Sequence, residues 1–189
     1  SPCYDRMEAL GAVFGTVYGW ERPGWFSPPG YGLSEKDLNQ PKDVLLNHNH
    51  APAARDGKVK EKWSFRRSNY FEHVGNECRN VFDNVGLLDM SAFAKYEVSG
   101  ASAEEWLDSI LANRIPKRLG RMALCHLLTV RGGVRSEFTV YRAGLQRFYL
   151  VGAGAFERHD WDTLVKLLPA QAAVQLQKIT AQMGGLVIA

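Results

Sequence analysis

The sequence predicts an α+β domain built on a mostly antiparallel sheet with flanking helices. From Asn69 onward the hydrophobic period switches repeatedly between 3.6 and 2 residues. Two alternating segments, "MALCHLLTV" and "VRSEFTVYR", are separated only by "RGG", which marks a hairpin. The order helix, strand, helix, three strands, helix, strands suits hairpin-linked antiparallel strands better than a βαβ repeat.

The elements follow in chain order. Tyr4 to Leu10 carries a short helical pattern. Gly11 to Phe26 holds four glycines, five aromatics and one proline. Glycine weakens both helices and strand interiors, and Phe14, Tyr18, Trp20, Trp25 and Phe26 keep neither period. An ordered loop lying on another surface is the expectation there. Loop signals such as "SPPGYG" and "NHNHAPAARDG" continue to about Ser68.

A helix is predicted from about Tyr70 to Asn84, with Phe71, Val74, Cys78, Val81 and Phe82 on one face. "AKYEVSG" alternates as a strand. Ser102 and Glu105 form an S-x-x-E capping-box pattern ahead of Trp106, Leu107 and Ile110. After the hairpin, "RFYLVGAG" is a third strand. "AFERHDWDTLVKLL" is a helix with Phe156, Trp161, Leu164 and Leu168 inward, ended by Pro169. "AAVQLQKIT" is a strand and "GGLVIA" begins another. The sequence stops at Ala189 within that pattern, so a chain cut from something longer is expected.

Residues 1–66 thus read as an aromatic- and Gly-rich connecting segment, and 67–189 as the N-terminal part of a folded domain. Composition is ordinary for a globular protein, at 46% hydrophobic and 23% charged. The net charge of +3 is spread out, and Lys58–Lys62 and Arg66–Arg67 are too short to predict nucleic-acid binding. Three distant cysteines without a CxxC spacing predict thiols in a reduced compartment. No membrane-length apolar run and no signal-peptide pattern is visible. A soluble, intracellular protein is expected.

Several motifs could carry chemistry. His48 and His50 could converge on a metal, but no third ligand has the spacing, and no metal site is predicted. "VGAGAFERHDW" has the outline of a phosphate cradle, yet Glu157 replaces the third glycine, and a tight strand-to-helix turn explains it as well. Cys78 and Cys125 read as core thiols, and His126 as either surface or core. On the strand after the hairpin, alternation places Val134, Ser136, Phe138 and Val140 on one face, and Glu137 with Thr139 on the other. Glu137 is an ordinary exposed acid if that second face meets water. If it lines a cavity, Glu137 is a candidate acid/base or cation partner.

"SPCYDRMEALGAVFGTVYGWERPGWF", "RRSNYFEHVGNECRNVFDNVGLLDMSAFAKYEVSG" and "GGVRSEFTVYR" together resemble the C-terminal half of the dimethylglycine and sarcosine dehydrogenase/oxidase family. That half is similar to the aminomethyltransferase, or T-protein, of the glycine cleavage system. The resemblance runs from Ser1 to Ala189 and implies part of an aminomethyltransferase-like folate-binding domain. It also implies an FAD domain upstream in the same chain, which oxidises a small N-methyl amine, and tetrahydrofolate as acceptor of the one-carbon unit. The family's acidic residue beside the reactive folate nitrogens matches Glu137, which would steer protons and stabilise positive charge. Phe93 takes the place of a pterin-packing Met, Leu124 that of a Tyr, and Gly152 that of an Asn. The family's pocket also uses residues beyond position 189, so weak tetrahydrofolate binding by this chain alone is expected. A degenerate, non-catalytic copy retained as a scaffold is the alternative from another class. A demethylase acting on a sulfonium substrate is the alternative among enzymes.

Overall fold

The computed structural model describes residues 2–27, 68, 70–171 and 173–189. They fall into two compact units, with the chain passing between them at Ala92/Phe93 and at Met183/Gly184.

The first unit opens with α1 (Tyr4–Ala9), followed by β1 (Ala12–Val17) and β2 (Trp20–Phe26). The irregular loop expected over Gly11–Phe26 is therefore an antiparallel hairpin. Tyr18 and Gly19, both at positive φ (51° and 83°), form a two-residue turn between the paired Val17 and Trp20. Two consecutive positive φ values match the twist of the flanking strands. A bulge between Val13 and Phe14 breaks the alternation, which is why the aromatics show no clean period. Two of the rings pack within their own unit. Phe14 stacks on Tyr4 at 4.2 Å, and Trp25 stacks on His73 at 5.5 Å.

His73 belongs to α2 (Phe71–Asp83), which is tied to the hairpin where the Phe26 N–H donates to Glu77 Oε1 at 2.9 Å. The expected apolar face of α2 is not its covered one: Cys78 and Phe82 are exposed, while His73, Val74, Glu77 and Val81 are half-buried. Cys78 is thus a surface thiol, not a core one. The unit closes with β3 (Leu87–Asp89) paired antiparallel to β10 (Leu186–Ile188), so the final strand pattern does form a paired strand.

The second unit is one six-stranded antiparallel sheet in the order β5–β6–β7–β8–β4–β9. These strands are β4 (Ala94–Ser99), β5 (Leu111–Ala112), β6 (Met122–Leu128), β7 (Val134–Gly144), β8 (Arg147–Gly152) and β9 (Gln175–Lys178). One face is closed by α3 (Ala103–Ile110) and α4 (Glu157–Leu167). Tyr96, Val98, Cys125, Phe138, Val140, Phe148 and Leu150 share a core with Trp106, Leu107 and Leu164. The alternation read from the sequence holds for Ser136, Phe138 and Val140. Val134 departs from it at 64% exposure, because a bulge at Leu127/Leu128 shifts the register beside it.

Two helix ends differ from expectation. Ser102 caps α3 without a side-chain bond, so the capping box does not form. Its N–H donates instead to Ala173 O at 3.3 Å. Before α4, a 3-10 turn over Gly154–Phe156 changes the helical phase. Phe156 is consequently exposed, while Asp160 and Thr163 turn inward beside Leu164. Ser136 Oγ donates to Asp160 Oδ1 at 2.6 Å, which fastens α4 to the sheet. Ser136→Ala removes that donor and leaves the buried carboxylate with only the His159 Nδ1 contact at 3.2 Å. A loss of about 1–3 kcal/mol is expected in denaturant unfolding of the full-length protein.

Candidate functional site

With the helices on one side, the other face of β6, β7 and β8 presents Leu124, His126, Glu137, Thr139, Tyr141, Tyr149 and Val151. The register sets Leu124 opposite Thr139, His126 opposite Glu137, and Thr139 opposite Val151. Tyr141 and Tyr149, also paired, stack with centroids 6.1 Å apart. Period-2 alternation on a sheet with one covered face produces this strip directly.

Glu137 lies on β7, an inner strand of the sheet, where it pairs with His126 of β6 just before the β7–β8 pairing begins at Thr139. Its side chain is 59% exposed, so of the two readings open from the sequence, the solvent-facing one describes this chain. The carboxylate is nevertheless engaged: His126 Nε2 lies 3.0 Å from Oε2. With Nε2 protonated, the imidazole donates to the carboxylate.

Leu124 is on the same outward face, 48% exposed and two residues along β6 from His126. Gly152 lies on the opposite, buried face of β8, paired with Ala94. A Cβ there would stand 3.0 Å from Cδ1 of Phe138 and 3.4 Å from Glu137 O. Glycine at 152 therefore lets β8 approach the strand segment that carries Glu137. Gly152→Ala is expected to cost about 1–3 kcal/mol through displacement of the fully buried Phe138 ring, checked by thermal unfolding. Phe93, half-buried just ahead of β4, accepts Lys95 Nζ at 2.8 Å on its carbonyl oxygen. The structure thus joins Leu124, His126 and Glu137 on one face, with Gly152 behind Glu137 and Phe93 at the neighbouring strand end.

His126 was legible as either surface or core, and the register makes it the partner of Glu137. Counting outward from the hairpin loop over 129–133 pairs His126 with Ser136, and the bulge at Leu127/Leu128 moves it opposite Glu137. Arg142 was not singled out at all, although the Ser136, Phe138, Val140 alternation leads to it. It is 7% exposed. It donates to Glu104 Oε2 at 2.8 Å, to Pro116 O at 3.0 Å and to Leu145 O at 2.7 Å, with its guanidinium over the Phe148 ring. Hydrogen bonds from Lys117 and Arg142 hold the Glu104 carboxyl below its ordinary value.

Burial pushes the Cys125 thiol up, consistent with the core role expected from the sequence. Burial, with Asp160 and Glu157 nearby, raises the Tyr96 phenol, which donates to Glu157 O at 2.8 Å. His48, His50 and the Lys58–Lys62 and Arg66–Arg67 clusters lie outside the described residues. Among the described residues no group of three or more His, Cys, Asp or Glu could hold a metal. None of the described helices is long and apolar enough to cross a membrane.

Residues 3–189 match the GCVT N-terminal domain family, and the chain belongs to that family. The mitochondrial dimethylglycine dehydrogenase of Rattus norvegicus is 31% identical over 190 residues, which cover 100% of this chain and 19% of that protein. The mitochondrial sarcosine dehydrogenase of Homo sapiens is 25% identical, over 90% of this chain and 20% of that protein. The mitochondrial pyruvate dehydrogenase phosphatase regulatory subunit of Mus musculus is 26% identical, over 95% of this chain and 18% of that protein. The chain thus spans about a fifth of the length of these relatives. Among solved structures, the glycine cleavage system aminomethyltransferase T from Bartonella henselae has the same fold. Its TM-score is 0.60 at 18% identity, over 95% of this chain and 38% of that one. The resemblance read from the sequence is therefore borne out at the level of family and fold.

Proposed function

We propose that this aminomethyltransferase-like domain serves tetrahydrofolate-dependent transfer of a one-carbon unit. It would do so within a flavoprotein that demethylates dimethylglycine, sarcosine or a related N-methyl amine. The observation that carries the reading is the outward strip of β6–β8, where a carboxylate at Glu137 borders an apolar and aromatic surface. Its chemistry fits a planar pterin: Leu124 and Val151 offer flat apolar contact, and the Glu137 carboxylate offers an acceptor for ring N–H groups. Phe93 and Gly152 complete the candidate set, Phe93 by packing and Gly152 by bringing β8 close.

Tetrahydrofolate, when bound, supplies the amine nitrogens that take up the one-carbon unit. Glu137 would hold the proton released there and lower the energy of positive charge nearby. FAD belongs to the portion of such a protein that oxidises the amine, and residues 1–66 would connect that portion to this one. The setting would be the mitochondrial matrix or bacterial cytoplasm.

The test is a product assay on the full-length protein with dimethylglycine or sarcosine. Added tetrahydrofolate is expected to divert the oxidised carbon from formaldehyde to methylenetetrahydrofolate. Formaldehyde release that saturating tetrahydrofolate leaves unchanged would sink the reading. That result would favour a scaffold role, to which the likeness to a phosphatase regulatory subunit lends support.

A further inference from the structure

We infer that His126 is a positioning residue for Glu137, and that the two form a working dyad. The inference rests on the one-carbon reading of this same face. A glutamate side chain has three rotatable bonds, and at 59% exposure little packing restricts it. A proton-handling carboxylate has to be held within a fraction of an ångström of its working position. The structure shows one group able to do that, the His126 imidazole directly across the β6–β7 ladder, with Nε2 3.0 Å from Oε2.

The partner is itself constrained. His126 is 32% exposed on its side chain, and its strand is paired along its length to β7. Imidazole has only two rotatable bonds, so its ring is the stiffer half of the pair. Because His126 meets Oε2, Oε1 takes no part in that contact. Other charge on this face comes from Arg135, two residues earlier on β7, from Arg147 on β8, and from Lys95 and Glu97 on β4, while Val151 of β8 is level with Thr139.

Three variants of the full-length protein test this: His126→Ala, His126→Gln and Glu137→Gln, with the His126→Ala/Glu137→Gln double variant. The readout is methylenetetrahydrofolate formed per flavin reduced, followed from pH 5.5 to 8.5. His126→Ala is expected to lower that ratio about 10-fold. His126→Gln, whose amide N–H reaches a similar place, is expected to restore most of it at neutral pH. Because Gln does not titrate, any pH dependence that His126 gives the ratio should be absent from this variant. The double variant should be no worse than Glu137→Gln alone, since His126 acts through the carboxylate.

If Glu137→Gln lowers the ratio while His126→Ala matches wild type at every pH, His126 has no positioning role and the Glu137 reading survives. If Glu137→Gln is itself without effect, the reading of this face falls, and the dyad with it. If the double variant loses the two single effects in full, His126 acts independently and the inference is overturned.

Discussion

Glu137→Gln in the full-length protein is expected to lower methylenetetrahydrofolate formation about 100-fold, the low end for loss of a general acid–base group. Gln keeps the size and polarity of the side chain and can still face His126, but it can neither take up a proton nor offset positive charge. Under the proposed function, amine-driven flavin reduction would depend on another part of the protein and would serve as the internal reference. Stability should change little, because the side chain is 59% exposed and its contact with His126 is at the surface. A stopped-flow measurement of flavin reduction beside a product assay checks both halves. Equal loss in both would mean that the substitution damages the fold, not the transfer step.

Arg142→Met is expected to cost about 3 kcal/mol, the lower end for breaking a buried ion pair. Methionine fills much of the volume but leaves the Pro116 and Leu145 carbonyls without their donor and Glu104 with Lys117 alone. The lower end applies because Glu104 keeps a third of its side chain in water. For a domain of this size, a midpoint lower by roughly 6–12 °C should appear in its thermal unfolding transition. Glu104→Gln should cost less, since Arg142 keeps both carbonyl acceptors.

The same cluster sets an acid dependence. Lys117 first, then Arg142, lowers the Glu104 carboxyl in the folded state from its ordinary 4.5. A carboxyl lowered on folding contributes stability that is present above its unfolded value and lost as pH falls through its folded value. The wild-type protein should therefore lose stability below about pH 4.5, and Glu104→Gln should lose less over that interval.

Strand and helix periods were legible wherever a single regular element met a single core. The stretch Gln175–Lys178, the β6–β7 hairpin and α2 came out within a few residues of their limits. The hairpin at Gly11–Phe26 was hidden because one bulge and a positive-φ Tyr18 disturb the period that betrays a strand. Phe156 was misplaced because a 3-10 turn ahead of α4 changes the phase from which the inward face is counted. The capping pattern at Ser102 failed because a backbone bond to Ala173 serves that end. For the site, alternation sufficed to put Glu137 and Thr139 on one side. His126 and Arg142 needed register and burial, which are properties of the assembled sheet.

Leu87–Asp89 and Leu186–Ile188 form one ribbon, closed by the Met90 N–H donating to Gly185 O at 2.8 Å. The stretch Phe93–Met183 is therefore nested inside the first unit as an insertion. During synthesis on the ribosome the nested stretch emerges entire before Leu186 does, so it can fold first, while the ribbon must wait for its last partner. A chain ended between Met183 and Leu186 would thus hold the whole inserted unit and a host still missing one of its strands.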